Sequence, residues 1–196
     1  MNATLSTTER IDACKVALND NFIRNTYQPV LNAAGSASEL EAKIQALRDI
    51  YSEAWSIDTR TQAASILEAL GIATTSAKLL AASQKQFLTV AMDRLLTVLA
   101  ARRGPQADRD WTRAQQTSLI LGNTPEEIEF VLDLAQANAS MDQRRAEYYE
   151  YALPLAQQSG DLTRIDREWK KVQGSLWADP FLQRWTKKAS CAKTEI

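Results

Sequence analysis

With 45% hydrophobic and 24% charged side chains over 196 residues, the chain has the composition of a folded globular protein rather than a disordered one. A chain this long buries roughly 70% of the surface its unfolded form exposes, so one domain or two small helical lobes can fold without a disulfide or metal. The formal charge of −1, from 23 basic and 24 acidic residues, gives no long-range pull toward nucleic acid or an anionic membrane, and the lack of histidine removes the commonest general base and metal ligand.

Cys14 and Cys191 fit no CxxC or zinc spacing. Free thiols in a reducing compartment are expected, Cys14 in a helix core and Cys191 in a tail. No run approaches 18 apolar residues, so no spanning helix is expected. The opening MNATLSTTER lacks a basic region followed by an apolar one, so no secretory signal is expected. The sequons at Asn2 and Asn138 read as chance matches.

Ser6-Thr7-Thr8-Glu9 reads as a capping box. It opens a helix whose inner face would be Ile11, Cys14, Leu18 and Phe22, ending before Pro29 because the residue preceding a proline is pushed out of the helical region. Ser36-Ala37-Ser38-Glu39 is a second such box. Leu40, Ile44, Leu47, Tyr51 and Trp55 follow it at the spacing of one helix face. Asp58 is the expected cap of a third helix carrying Ala63, Ile66 and Leu70, with Gly71 as its stop.

A longer helix is expected from about Ser76 to Arg103. Leu80, Phe87, Ala91, Leu95 and Val98 form one apolar stripe, and Leu88, Met92, Leu96 and Leu99 a second beside it. Two stripes make a face too wide for one neighbour, which suits the centre of a bundle. Arg102 and Arg103 suit the negative end of its dipole, and Gly104-Pro105 ends it. A short helix over Asp108 to Ser118 turns Trp111 and Ala114 inward.

Thr124-Pro125-Glu126-Glu127 is the strongest helix start in the chain, with a capping threonine, a proline at the first helical position and acids in the first turn. The helix should run to about Tyr151. Its first half is amphipathic through Ile128, Val131, Leu132 and Ala135, and its second half is polar apart from Met141 and three tyrosines. Pro154 kinks or ends it, and Gly160-Asp161 turns the chain. Leu162, Ile165, Trp169 and Val172 line the next helix, and Asp179-Pro180 opens a last turn with Phe181, Leu182 and Trp185.

Little in this pattern points to chemistry. Gly104 and Gly122 are isolated, so no phosphate-cradling loop exists. Glu126, Glu127 and Glu129 read as the acidic bias of a first helical turn, and Asp161, Asp166 and Glu168 as a solvated face. Arg102, Arg103, Arg109 and Arg113 are diluted by Asp108 and Asp110. A helix-turn-helix over 107–135 would aim the acids of TPEEIE at phosphates. No catalytic, cofactor-binding or metal-binding residue is expected, and no enzyme.

The order of several short motifs carries more than any one of them. LGIATT is followed by AASQKQFLTVAMDRLLTVLA and RRGPQADRDW. LGNTPEEI then opens a helix continued by RRAEYYEYA, and SGDLTRIDREW and ADPFLQRW follow. From Leu70 to Trp185 this series resembles the C-terminal module of bacteriophage internal virion (DNA-ejection) proteins and related phage structural proteins. The chain departs from that pattern in two places: Ala107-Asp108-Arg109-Asp110 lacks the family's serine, and Asp179-Pro180-Phe181 replaces Asn-Pro-x-Phe.

The resemblance implies a virion structural protein, made in the host cytoplasm, near the portal or tail, with delivery to the host periplasm on infection. Its partners would be copies of itself in a ring or tube and other virion proteins (portal, tail or larger ejection proteins). Transient contact with packaged DNA is expected, without sequence-specific binding. The alternatives are a static head-completion, tail-adaptor or capsid cargo protein, and an unpackaged cytoplasmic scaffolding or regulatory partner.

The expected fold is an all-α bundle of about six to seven helices, with a long helix near 125–151 and a tryptophan-rich C-terminal latch. The expected divisions are a helical region over 1–70, a helical module over 71–186 and a flexible tail over 187–196. Trp169 belongs to an amphipathic face, while Trp177 and Trp185 form the latch, folded back on the helix after Thr124. Tyr148, Tyr149 and Tyr151 cannot share one face at helical spacing, so at least one points outward. The candidate protein interface is Tyr148, Tyr149, Tyr151, Trp177 and Trp185, on a polar half-helix projecting beyond the bundle and on the latch.

Overall fold

A computed structural model describes residues 7–52, 56–72, 82–102, 108–121 and 124–191. These form eight α-helices: α1 (Thr7–Phe22), α2 (Gln28–Ser52), α3 (Ile57–Ala69), α4 (Gln84–Arg102), α5 (Asp108–Leu121), α6 (Pro125–Ser159), α7 (Arg164–Val172) and α8 (Pro180–Cys191). A π-helical segment, Ile23–Tyr27, joins α1 to α2, and a 3-10 turn, Leu176–Ala178, precedes α8. There is no strand among the described residues, and the fold is all-α.

The chain divides into two compact units that do not follow a cut at residue 70. The first comprises Met1–Ala37 and Met141–Gly174, the second Ser38–Ser140 and Ser175–Ile196. The reason is that α2 and α6 each contribute one end to each unit. The helix α8 also takes in residues 187–191 of the expected tail, while 192–196 lie outside the described residues.

In the first unit Phe22, Val30, Ala146, Tyr149, Ala156, Leu162, Ile165 and Trp169 form the core. Tyr149 lies between two aromatic rings, 6.2 Å from Phe22 and 6.2 Å from Tyr27. Those rings are five residues apart, which an α-helix of 3.6 residues per turn would point in different directions. The π segment closes its turn at five residues, with the Gln28 N–H donating to the Ile23 carbonyl. That widened turn brings both rings to Tyr149. It also carries the helix through Pro29, where a stop was expected. Ser36, expected to cap a new helix, bonds back to the Ala33 carbonyl at 2.9 Å within continuous α2.

Three further expectations fail in this unit. Ile11, Cys14 and Leu18 are exposed, and of the expected inner face of α1 only Phe22 is buried. Periodicity puts residues on one face, but that face is buried only where another element covers it. The other tie of α1 is Asn19, which donates to the Gly160 carbonyl at 3.1 Å and accepts from the Leu162 N–H at 3.0 Å. Pro154 does not end α6, which continues to Ser159. Pro154 removes the helical donor to the Glu150 carbonyl; both residues are exposed, where water can replace that donor, and the following turn is anchored by the buried Ala156. The true stop is Gly160, at φ +70°. Val172, assigned to the buried face of α7, is exposed.

In the second unit the central element is the first half of α6, not α4. All six residues from Phe130 to Ala135 are buried, so this helix is covered on every side. The two stripes of α4 bury Phe87, Leu88, Ala91, Met92, Leu95 and Leu99, while Asp93 and Arg94 face outward. The helix α4 begins at Gln84, where the Gln86 side chain accepts from the Ser83 N–H at 3.3 Å. Leu80, Gly104 and Pro105 lie outside the described residues.

Trp111 and Ala114 of α5 are buried, as are Ile44, Leu47 and Ile50 of α2, with Leu40 and Tyr51 half-buried. Trp55 lies outside the described residues. The cap of α3 is Ser56 in a reciprocal box with Thr59, leaving Asp58 in the first turn. At its end Gly71, at φ +81°, lets the Ile72 N–H reach the Leu67 carbonyl at 2.9 Å, which completes a Schellman stop.

Candidate protein interface

The five aromatic residues singled out in the sequence fall into two groups. The three tyrosines belong to the first unit and the two tryptophans to the second. Tyr151 is 73% exposed. Tyr148 is half-buried, its ring 5.5 Å from Trp169. Tyr149, Trp177 and Trp185 are buried within the chain, so they are not exposed aromatic surface. The tyrosine half-helix does not simply project either, since Ala146, Tyr149 and Ala156 make it a wall of the first core.

Tyr149 anchors a polar clasp between α6 and α7. Its hydroxyl donates to Asp166 Oδ1 at 2.6 Å and accepts from the Arg145 guanidinium at 3.0 Å. Asp166 also receives Arg145 at 3.0 Å and Lys170 at 2.6 Å. Burial, and then the bond to Asp166, push the Tyr149 hydroxyl well above the usual tyrosine value. Burial also pushes the Asp166 carboxyl up. Hydrogen bonds from Lys170 and Tyr149, with the charges of Lys170 and Arg145, outweigh it and hold that carboxyl below its ordinary value. Asp161 is lowered by the Thr163 hydroxyl and by Arg167, and Glu168 chiefly by Lys171. All three carboxylates of the candidate acid cluster are therefore held ionised by neighbours.

The second clasp fixes the tryptophan latch. Phe130 of α6 stacks on Trp177 at 6.0 Å and meets Trp185 edge-on at 5.4 Å. Beside it the buried Asp133 accepts from Arg48 at 2.7 Å, from Arg184 Nε at 2.7 Å and from Trp185 Nε1 at 2.7 Å. Glu129, one turn earlier on the same face, receives Arg48 at 2.9 Å and Arg184 at 3.1 Å. Desolvation lowers the Arg184 pKa, but its bond to Asp133 and that charge raise it further than burial lowers it. At the other end of the latch Asp110 accepts from the Ser175 hydroxyl at 2.8 Å and the Leu176 N–H at 2.7 Å, and its carbonyl takes Trp177 Nε1 at 3.0 Å. Arg113 lies 4.1 Å over the Trp177 ring. The latch does fold back on the helix after Thr124, as its aromatic content suggested.

What remains open to a partner is mostly what the sequence reading passed over. A cleft between α6 and α7 is lined by Tyr148, Ala152, Leu155 and Ala156 on one wall and by Arg164, Ile165 and Glu168 on the other. Leu155, more than half exposed, stands one turn beyond Tyr151. The second unit exposes Leu119 and Ile120 at the end of α5. An apolar residue four positions after Tyr151 was the available signal for Leu155, obscured by Pro154. Among the described residues no group of three or more Cys, Asp or Glu could hold a metal ion, and no helix is long and apolar enough to cross a membrane. No family model, curated protein or solved structure matches the chain.

Proposed function

We propose that this chain is a bacteriophage virion structural protein, an internal DNA-ejection component near the portal or tail that assembles with copies of itself into a ring or tube. The observation that carries the reading is the order of motifs from LGIATT to ADPFLQRW. Two features of the molecule support a structural role. Its strongly paired polar groups, at Asp133 and Asp166, fasten helices to each other. Apolar side chains such as Ile11, Leu18, Tyr151 and Leu155 stand on exposed helix faces, where association with other chains would cover them.

The reading makes the protein a binding component rather than an enzyme. Replacing Asp161, Asp166 and Glu168 by their amides should then leave infectivity intact wherever folding survives. The deciding experiment is mass spectrometry of purified particles before and after DNA release. An ejected component is present in full particles and lost from emptied ones. Full retention would favour a static head-completion, tail-adaptor or cargo role, and absence from both would favour a scaffolding or regulatory partner that is never packaged.

A further inference from the structure

Among the described residues the latch is attached across a unit boundary that falls in a connection and not inside a helix. Residues 175–191 belong to the second unit, while α7, immediately before them, belongs to the first. Outside the latch they meet Asp110 and Arg113 of α5 and Glu129, Phe130 and Asp133 of α6. The connection is short: α7 ends at Val172 and the 3-10 turn begins at Leu176. Within it Gly174 stands at φ +70°, a backbone that residues with a side chain rarely adopt. A Cβ there would meet no atom within 4 Å, so this glycine is required by backbone shape and not by space.

We propose that the latch exchanges between copies, so that in an assembled form the surface around Phe130 holds residues 175–191 of a second copy. That surface already fits this segment. Trp177 and Trp185 flank Phe130, and the Arg184 guanidinium and Trp185 indole meet the buried Asp133 carboxylate. Every one of these contacts is the same whether the segment comes from its own chain or from a neighbour. The balance between closed and exchanged forms is therefore left to the hinge and to concentration. A left-handed glycine returns the latch to its own chain, and an extended backbone there sends it elsewhere. Exchange in one direction around a closed set of copies builds a ring, and an open series builds a filament.

This inference rests on the reading that the chain self-associates, and the test separates the two. Ser175→Cys and Asp110→Cys, combined with Cys14→Ser and Cys191→Ser, put a thiol on each side of the latch contact. The protein is sized over a range of concentrations, oxidised, and run under denaturing, non-reducing conditions. Exchange gives covalent dimers or longer chains. An oligomer whose bond closes within one chain overturns exchange but keeps self-association, and a monomer at every concentration overturns both.

Since that pair removes three latch hydrogen bonds, Gly174→Val in the otherwise unaltered chain provides a second reading. A β-branched residue disfavours the left-handed backbone by about tenfold. The exchanged population should rise by about that factor per copy, and an unchanged distribution of sizes would overturn the proposal.

Discussion

Each unit is closed by a buried aromatic donor, a carboxylate and arginine, but only the second buries the carboxylate as well. In the first unit the aromatic ring is buried and the carboxylate sits at the edge, with the Asp166 side chain 20% exposed. In the second the carboxylate itself goes inside, with the Asp133 side chain only 5% exposed, and both an indole and two guanidiniums converge on it. A buried ion needs nearly all of its partners, whereas one at the edge can replace a lost partner with water. The first clasp should therefore tolerate substitution better than the second.

The sharpest break in that contrast is Asp133→Ala. It removes the Asp133 acceptor of the buried Trp185 indole and leaves Arg48 and Arg184 to Glu129, and we expect a loss of about 1–3 kcal/mol in denaturant unfolding. Hydrogen exchange should quicken first in α8 and around Phe130. Asp166→Ala should cost less, because water can reach the more exposed edge that this carboxylate vacates. Comparable losses for the two would mean that depth does not separate the clasps.

Tyr149→Phe should cost about 1 kcal/mol, since Asp166 keeps both of its cations. Its more telling effect is on pH dependence. The Tyr149 hydroxyl is raised in the folded protein, so its contribution is complete below the ordinary tyrosine value of about 10 and is lost as pH rises beyond it. The phenylalanine variant should lose less stability than the parent across that alkaline range.

At the acid end the signs reverse. Asp161 and Asp166 are lowered on folding, so they stabilise above the unfolded value of about 4 and cease to as pH falls through their folded values. Asp166→Asn should flatten the acid limb of the stability profile. The smallest effect belongs to Lys171→Ala, which breaks a surface pair with Glu168 and should leave the denaturant midpoint unchanged.

What could be read in the sequence was local. Thr124-Pro125, Gly71 and Gly160 mark real boundaries, since a cap or a left-handed stop depends on a few adjacent residues. Pro29, Ser36 and Pro154 misled for a related reason. Each weakens a helix in isolation, but packing on both sides and a widened turn carry the helix through. The stripe of Ile11, Cys14 and Leu18 shows that period identifies a face without identifying its cover.

The candidate site was legible only in part. Tyr151 was recognisable as an outward residue, since three tyrosines within four positions cannot share a face. The pairings of Tyr149 with Asp166 and of Asp133 with Trp185 span 17 and 52 residues, beyond any local rule. One clue did exist: Asp133 interrupts the apolar run FVLDLA four residues after Glu129. A carboxylate set among buried neighbours demands partners from elsewhere.

The π-helical segment also acts as an angular offset in an otherwise continuous rod. Each residue added to or removed from an α-helix turns everything before it by about 100°. Closing Ile23–Tyr27 as an ordinary α-helix, with no residue removed, would swing Ile11, Cys14 and Leu18 more than a quarter of the way round their axis and part Phe22 from Tyr27. The bearing of that outer stripe is thus governed by five residues that take no part in it.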